Sequence, residues 1–119
     1  MSTALKRKLS GSTDGKPIKV VATATAGTTI HTAVTGTTAG TFDEIWLWAY
    51  NGHTGDVQLT IEFGGATVPD QNIILTIPTK VGLYPLVPGL ILQNSMVVKA
   101  FASVANVITL VGFVNAITD

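Results

Sequence analysis

The chain contains no cysteine. Disulfides, thiolate metal sites and cysteine nucleophiles are excluded together. Charge is the second scarcity: Asp, Glu, Lys and Arg make up only 12% of the residues, about half the share in an average soluble domain. A domain of 119 residues can bury a core without staples, but it has much surface to cover. Hydrophobic residues stand at 46%, so the shortage of charge implies that some surface is hidden by association. Long apolar runs are missing too. The most apolar stretch, Val81 to Leu92, is interrupted by Gly82, Pro85, Pro88 and Gly89 and is too short to span a bilayer. The opening MSTALKRKLSGS has charge with no apolar segment behind it, so no secretory signal is read there. A cytosolic site of synthesis is compatible with these absences, and no membrane partner is expected.

Chemistry-bearing motifs are equally sparse. His31 and His53 are the only histidines, without metal-ligand spacing, and read as surface or capping groups. No glycine-rich phosphate loop and no nucleophile elbow around a serine occurs. Asp43 and Glu44 are adjacent, so on a strand they point to opposite faces and do not form a paired acid and base. The expectation is a protein that is not an enzyme, with no metal and no cofactor.

What is present begins with a charge split. Lys6, Arg7, Lys8, Lys16 and Lys19 against Asp14 give the first nineteen residues +4. Lys80 and Lys99 against Asp43, Glu44, Asp56, Glu62, Asp70 and Asp119 give the remainder −4. A basic start on an acidic body is an association signal. Residues 1–16 read as a basic, flexible or extended N-terminal arm, and 17–119 as one β-domain. Lys6, Arg7, Lys8 and Lys16 are the candidate docking residues, with a solvated tail as the plainer reading. No aromatic lies beside the arm to stack a base, so nucleic acid is not an expected partner.

From Pro17 onward the period is two. Ile18, Val20, Ala22 and Ala24 alternate with Lys19, Val21, Thr23 and Thr25, and threonine-rich segments follow to Thr41. Ile73, Leu75 and Ile77 share a face, as do Met96, Val98 and Ala100. The last strand is apolar on both faces, which predicts a mid-sheet place with both sides covered. About eight short strands separated by loop signals, with no helical stretch, predict an all-β, two-sheet antiparallel β-sandwich, of jelly-roll type. An immunoglobulin-like sandwich and a closed barrel stand as alternatives.

The most informative stretch is TFDEIWLWAYNGHTGDVQLTIEF, residues 41–63. It reads as a hairpin around Asn51-Gly52-His53-Thr54-Gly55, residues that accept positive φ. By parity Ile45, Leu47 and Ala49 face the core with Val57, Leu59, Ile61 and Phe63. The other face carries Glu44, Trp46, Trp48 and Tyr50, opposite Gln58, Thr60 and Glu62. Three readings of Trp46, Trp48 and Tyr50 stand: cover by the chain's own arm or a loop, an interface with a subunit or scaffold, or a sugar-stacking platform.

The basic, Ser/Gly-rich start ALKRKLSGSTDGKPIKV, the aromatic strand DEIWLWAYN and the apolar ending MVVKAFASVANVITLVGFVNAI together resemble small structural proteins of tailed bacteriophages. The likeness is to the jelly-roll capsid decoration proteins, also called cementing or head auxiliary proteins. The resemblance implies a non-enzymatic virion protein on the outer surface of the capsid. It implies a homo-oligomer, dimer or trimer, that bridges neighbouring capsomers of the major capsid protein. The alternatives are another phage structural role (tail, neck or receptor-binding module) and a carbohydrate-binding sandwich that uses Trp46 and Trp48.

Overall fold

A computed structural model describes residues 2–119; Met1 lies outside the described residues. The described chain is all-β, without a helix, and its strands form two antiparallel sheets packed as a sandwich. In chain order they are β1 (Thr3–Lys8), β2 (Ile18–Lys19), β3 (Thr28–Thr32), β4 (Phe42–Asn51), β5 (Val57–Phe63), β6 (Asn72–Ile77), β7 (Tyr84–Leu92), β8 (Val97–Ala102) and β9 (Ile108–Thr118). The first sheet runs β1-β9-β4-β7, with β2 also on β9, and the second runs β3-β8-β5-β6. The pairings β5·β6, β4·β7, β3·β8 and β1·β9 are nested about the β5–β6 connection. Rolling that nested ribbon brings β4 against β9 and β5 against β8. This is the connectivity of a jelly roll. Because β1 and β2 both pair with β9, nine strands fill eight positions.

Two expectations change here. Residues 41–63 are not a hairpin: β4 lies in the first sheet and β5 in the second, so the turn between them crosses the sandwich. The predicted inward sets are right, since Ile45, Leu47, Ala49, Val57, Leu59 and Ile61 are all buried. They meet across the core rather than along one sheet. A hairpin and a crossing turn impose the same alternation on each strand, so parity cannot separate them. Asn51 organises the turn: its buried amide donates to the Gly55 and Ile77 carbonyls and accepts from the His53 amide. Thr60 and Glu62 therefore lie on the second sheet, away from the tryptophans. Glu62 is buried there, accepting from the Thr25 hydroxyl and the Gly27 amide.

The second change concerns the start of the chain. Thr3–Lys8 is a strand of the first sheet, in register with Thr118–Phe113 of β9, although all six side chains are exposed. Leu9 then turns into the core, and with Ile18, Val20 and Ile30 closes that side of the sandwich. Main-chain pairing holds a strand whose side chains bury nothing, which is why side-chain pattern read it as an arm.

β9 is mid-sheet, as its doubly apolar pattern predicts, but only its inner face, Ile108, Leu110, Val114 and Ala116, is fully buried. Outer-face Val111 and Phe113 are half-buried. Gly112 faces Leu47 across the pair, and a Cβ there would run into the β4 backbone at Trp46. The close approach of the two central strands requires glycine at this position.

A candidate interface on the outer face of the first sheet

The outer face of the first sheet gathers side chains from four strands. Trp46 and Trp48 project from β4, two residues apart and hence on one side. Across the ladder, β9 places Phe113 directly opposite Trp46 and diagonal to Trp48. The three rings form a near-parallel cluster. Centroid separations are 6.4 Å between the tryptophans, 6.2 Å from Trp46 to Phe113 and 6.1 Å from Trp48 to Phe113. On the far side of β4, Pro88 stands opposite Trp46 and Pro85 opposite Trp48. Gly89 has φ +78°, a backbone state that glycine supplies, and the Trp46 ring leaves no space there for a Cβ. A shallow cleft of about 230 Å³ lies between the tryptophans and the two prolines.

Polar groups border the rings at one end. The Trp46 indole donates to Glu44 Oε1 at 2.7 Å, and Asn115 Nδ2 donates to the same oxygen at 3.0 Å. Both bonds favour the carboxylate form. They hold the Glu44 pKa below its ordinary value of 4.5, the Asn115 bond first and the indole second, against a smaller desolvation effect. From β1, Lys6 places Nζ 4.2 Å over the Phe113 ring, a cation–π contact. Tyr50 ends the row at 38% exposed.

Within the chain itself, cover of the aromatic face is partial. β1 lies beside β9 within the sheet, and its Lys6 reaches over the Phe113 ring. Mutual stacking buries the rings halfway, and the cluster otherwise faces outward. Trp46 and Trp48 are brought together with Phe113, Asn115, Pro85 and Pro88, none of which the sequence reading assigned to this site. The shared parity of Phe113 and Asn115 on β9 was readable, but their neighbour, β4, was not. Pro85 and Pro88 differ in parity and come opposite the two tryptophans only through the bulged register of β7.

The basic residues are divided. Lys6 and Lys8 pair with Asn115 and Phe113 and share the aromatic side, and Lys8 Nζ donates to the Ser12 carbonyl. Arg7 pairs with Val114 and points to the inner side. Lys16 is exposed in the β1–β2 connection, apart from the others.

Arg7 borders a second concavity, an open groove of about 610 Å³ that also touches Ser10, His31, Thr32 and Asp43. His31 is not the surface or capping group expected of it. It is 4% exposed, its Nδ1 accepts from the Ser10 amide at 3.0 Å, and its Nε2 lies 2.7 Å from Asp43 Oδ2. An Nδ1 that accepts carries no proton, so the Nε2–H donates to the carboxylate. The pair joins β3 of one sheet to β4 of the other. Ser10 brings its backbone, not its hydroxyl, to the ring; the hydroxyl accepts from the Thr32 amide. The arrangement is a polar tie between sheets and lacks the nucleophile-to-base contact of a hydrolase. Among the described residues no group of three or more His, Cys, Asp or Glu side chains gathers to hold a metal ion, and no helix is long and apolar enough to cross a membrane.

Comparison with protein-family models, with curated proteins and with solved structures finds no match. The functional reading therefore rests on the site itself. That site is an aromatic cluster on the central strands of a sheet, with two lysines on the same side.

Proposed function

We propose that this chain is a non-enzymatic virion protein of a tailed bacteriophage. It binds the outer surface of the capsid and cements neighbouring subunits of the major capsid protein. The observation that carries the reading is the outward-facing Trp46–Trp48–Phe113 cluster, held on two mid-sheet strands. Aromatic side chains on a rigid support lose little conformational freedom on binding, and they dominate the energetics of protein interfaces. Lys6 and Lys8 at the rim steer the face toward an acidic partner surface. Many copies on one lattice turn individually modest contacts into lasting occupancy. The jelly-roll connectivity and the low charge content support the same reading without specifying it. Neither a cofactor, nor nucleic acid, nor a membrane has a part in it.

The test is co-sedimentation of the purified protein with phage heads assembled without it. The unaltered chain saturates the heads. Trp46→Ala/Trp48→Ala loses affinity by about thirtyfold or more, the equivalent of ~2 kcal/mol for an anchoring pair. Unchanged binding by a folded double variant refutes the proposed face. A second reading is favoured by the placement of Glu44, Asn115 and Lys6 beside the rings: a carbohydrate platform, with aromatic faces for a sugar ring and polar groups for its hydroxyls. Glycan binding abolished by Trp48→Ala, with head binding intact, selects that reading instead. Recovery of the chain in a tail or neck ring selects the remaining structural alternative.

A further inference from the structure

We infer that the free edge of β6 is a self-association surface, and that its occupant is β6 of a second copy of this chain, paired antiparallel across a two-fold axis. The inference concerns the side of the sandwich remote from β1 and is independent of the identity of any scaffold. The four sheet edges differ in how open they are to a further strand. β1 carries Lys6, Arg7 and Lys8, so two copies of it would set like charges against one another. β3 is bulged between Thr29 and His31. β7 contains Pro85 and Pro88 and is bulged twice against β4. Each of these is a device that discourages further pairing. β6, Asn-Ile-Ile-Leu-Thr-Ile, has no charge, no proline, no glycine and an unbroken register with β5. An uncharged, regular, apolar edge is a template for another strand unless something occupies it.

The surroundings of β6 point the same way. From Gln71 to Val98 the sole charged residue is Lys80. Ile74 on β6 is 55% exposed, and Val68, Val81, Leu83, Leu90 and Ile91 on the adjoining loops and on β7 are exposed as well. These six are the majority of the ten large hydrophobic side chains exposed on the described chain. The core is less completely covered on this side, although Ile77, Leu86 and Val87 are buried. Ile73, Leu75, Tyr84 and Leu92 pack against it while only partly buried, whereas Leu9, Ile18, Val20 and Ile30 close the opposite side.

A two-fold axis at Ile74 satisfies both faces of the new ladder. Ile74 then meets its own copy on the outer face, beside Thr60 and Phe101, which already share that row. Ile73 meets Leu75 of the partner on the inner face, and Asn72 meets Thr76. Apolar side chains oppose apolar ones, polar oppose polar, and the second sheet continues from one sandwich into the next as eight strands. An isologous contact needs such self-complementarity, and β6 is the edge that has it.

Light-scattering mass measurement of the full chain in solution tests this. The expected result is a dimer for the unaltered protein and for Leu5→Lys on the opposite side. Ile74→Lys, with an unchanged far-ultraviolet circular dichroism spectrum, is expected at half that mass. Because the chain has no cysteine, Ile74→Cys supplies a single thiol at the axis. Directly opposed residues of an antiparallel pair lie within disulfide reach, so mild oxidation yields a covalent dimer. A monomeric or trimeric unaltered chain, a dimer that Ile74→Lys leaves intact, or a dimer whose Ile74→Cys variant does not cross-link overturns the inference.

Discussion

At the scale of single residues, Glu44 links the candidate site to pH. Its carboxylate receives the Trp46 indole and the Asn115 amide on one oxygen, and its pKa is lowered from 4.5. A carboxyl group whose pKa is depressed by folding stabilises the native state above the ordinary value, and that contribution is lost as pH falls through the folded value. The pH window therefore lies below 4.5. Over it, tryptophan fluorescence of the unaltered protein is predicted to change as the indole loses its charged acceptor. Glu44→Gln, which keeps an acceptor oxygen and has no proton to gain, is predicted to flatten that transition. A transition of the same size in the variant contradicts the assignment. Glu44 stands out on another count: its outward direction and its nearness to Trp46 follow from parity alone. Phe113 and Asn115 lie more than sixty residues further along and join the site only through the β4·β9 ladder.

At the scale of strands, alternation was legible and partnership was not. The buried sets on β4 and β5 follow from period two, because one face of each strand meets the core whichever strand lies beside it. Whether β4 and β5 pair or cross is decided by the Asn51-centred turn and by competition from β9 and β7. None of these leaves a mark in the alternation of residues 41–63. β1 shows the opposite limit: Thr-Ala-Leu-Lys-Arg-Lys has no apolar face, and it is a strand chiefly through its backbone pairing with β9. That strand geometry yields a prediction an unstructured arm would not. Lys6 and Lys8 share the aromatic side, while Arg7 faces the other. Reversing the first two, Lys6→Glu/Lys8→Glu, is predicted to slow association with acidic heads about tenfold at low salt, an effect that fades as salt rises. Arg7→Glu is predicted to change the rate little. Equal losses from both variants in stopped-flow binding would mean that the three charges act as one mobile cluster.

At the scale of the whole molecule, the jelly roll separates the two surfaces proposed for association. The outer face of the first sheet presents stacked rings and two lysines. The β6–β7 side presents an uncharged edge and most of the exposed aliphatic side chains. The fold class was readable in the sequence because strand length, loop signals and the absence of helical periodicity all agree. The assignment of surfaces was not, since it depends on which strands end a sheet. The central claim is that the Trp46–Trp48–Phe113 face is the surface applied to a larger assembly. Electron cryo-microscopy of virions carrying this chain, at side-chain resolution, tests it most directly. The account predicts the sandwich on the outer capsid surface with those three rings buried against a capsid subunit. Rings turned to solvent, or density for the chain in the tail or neck alone, would contradict it.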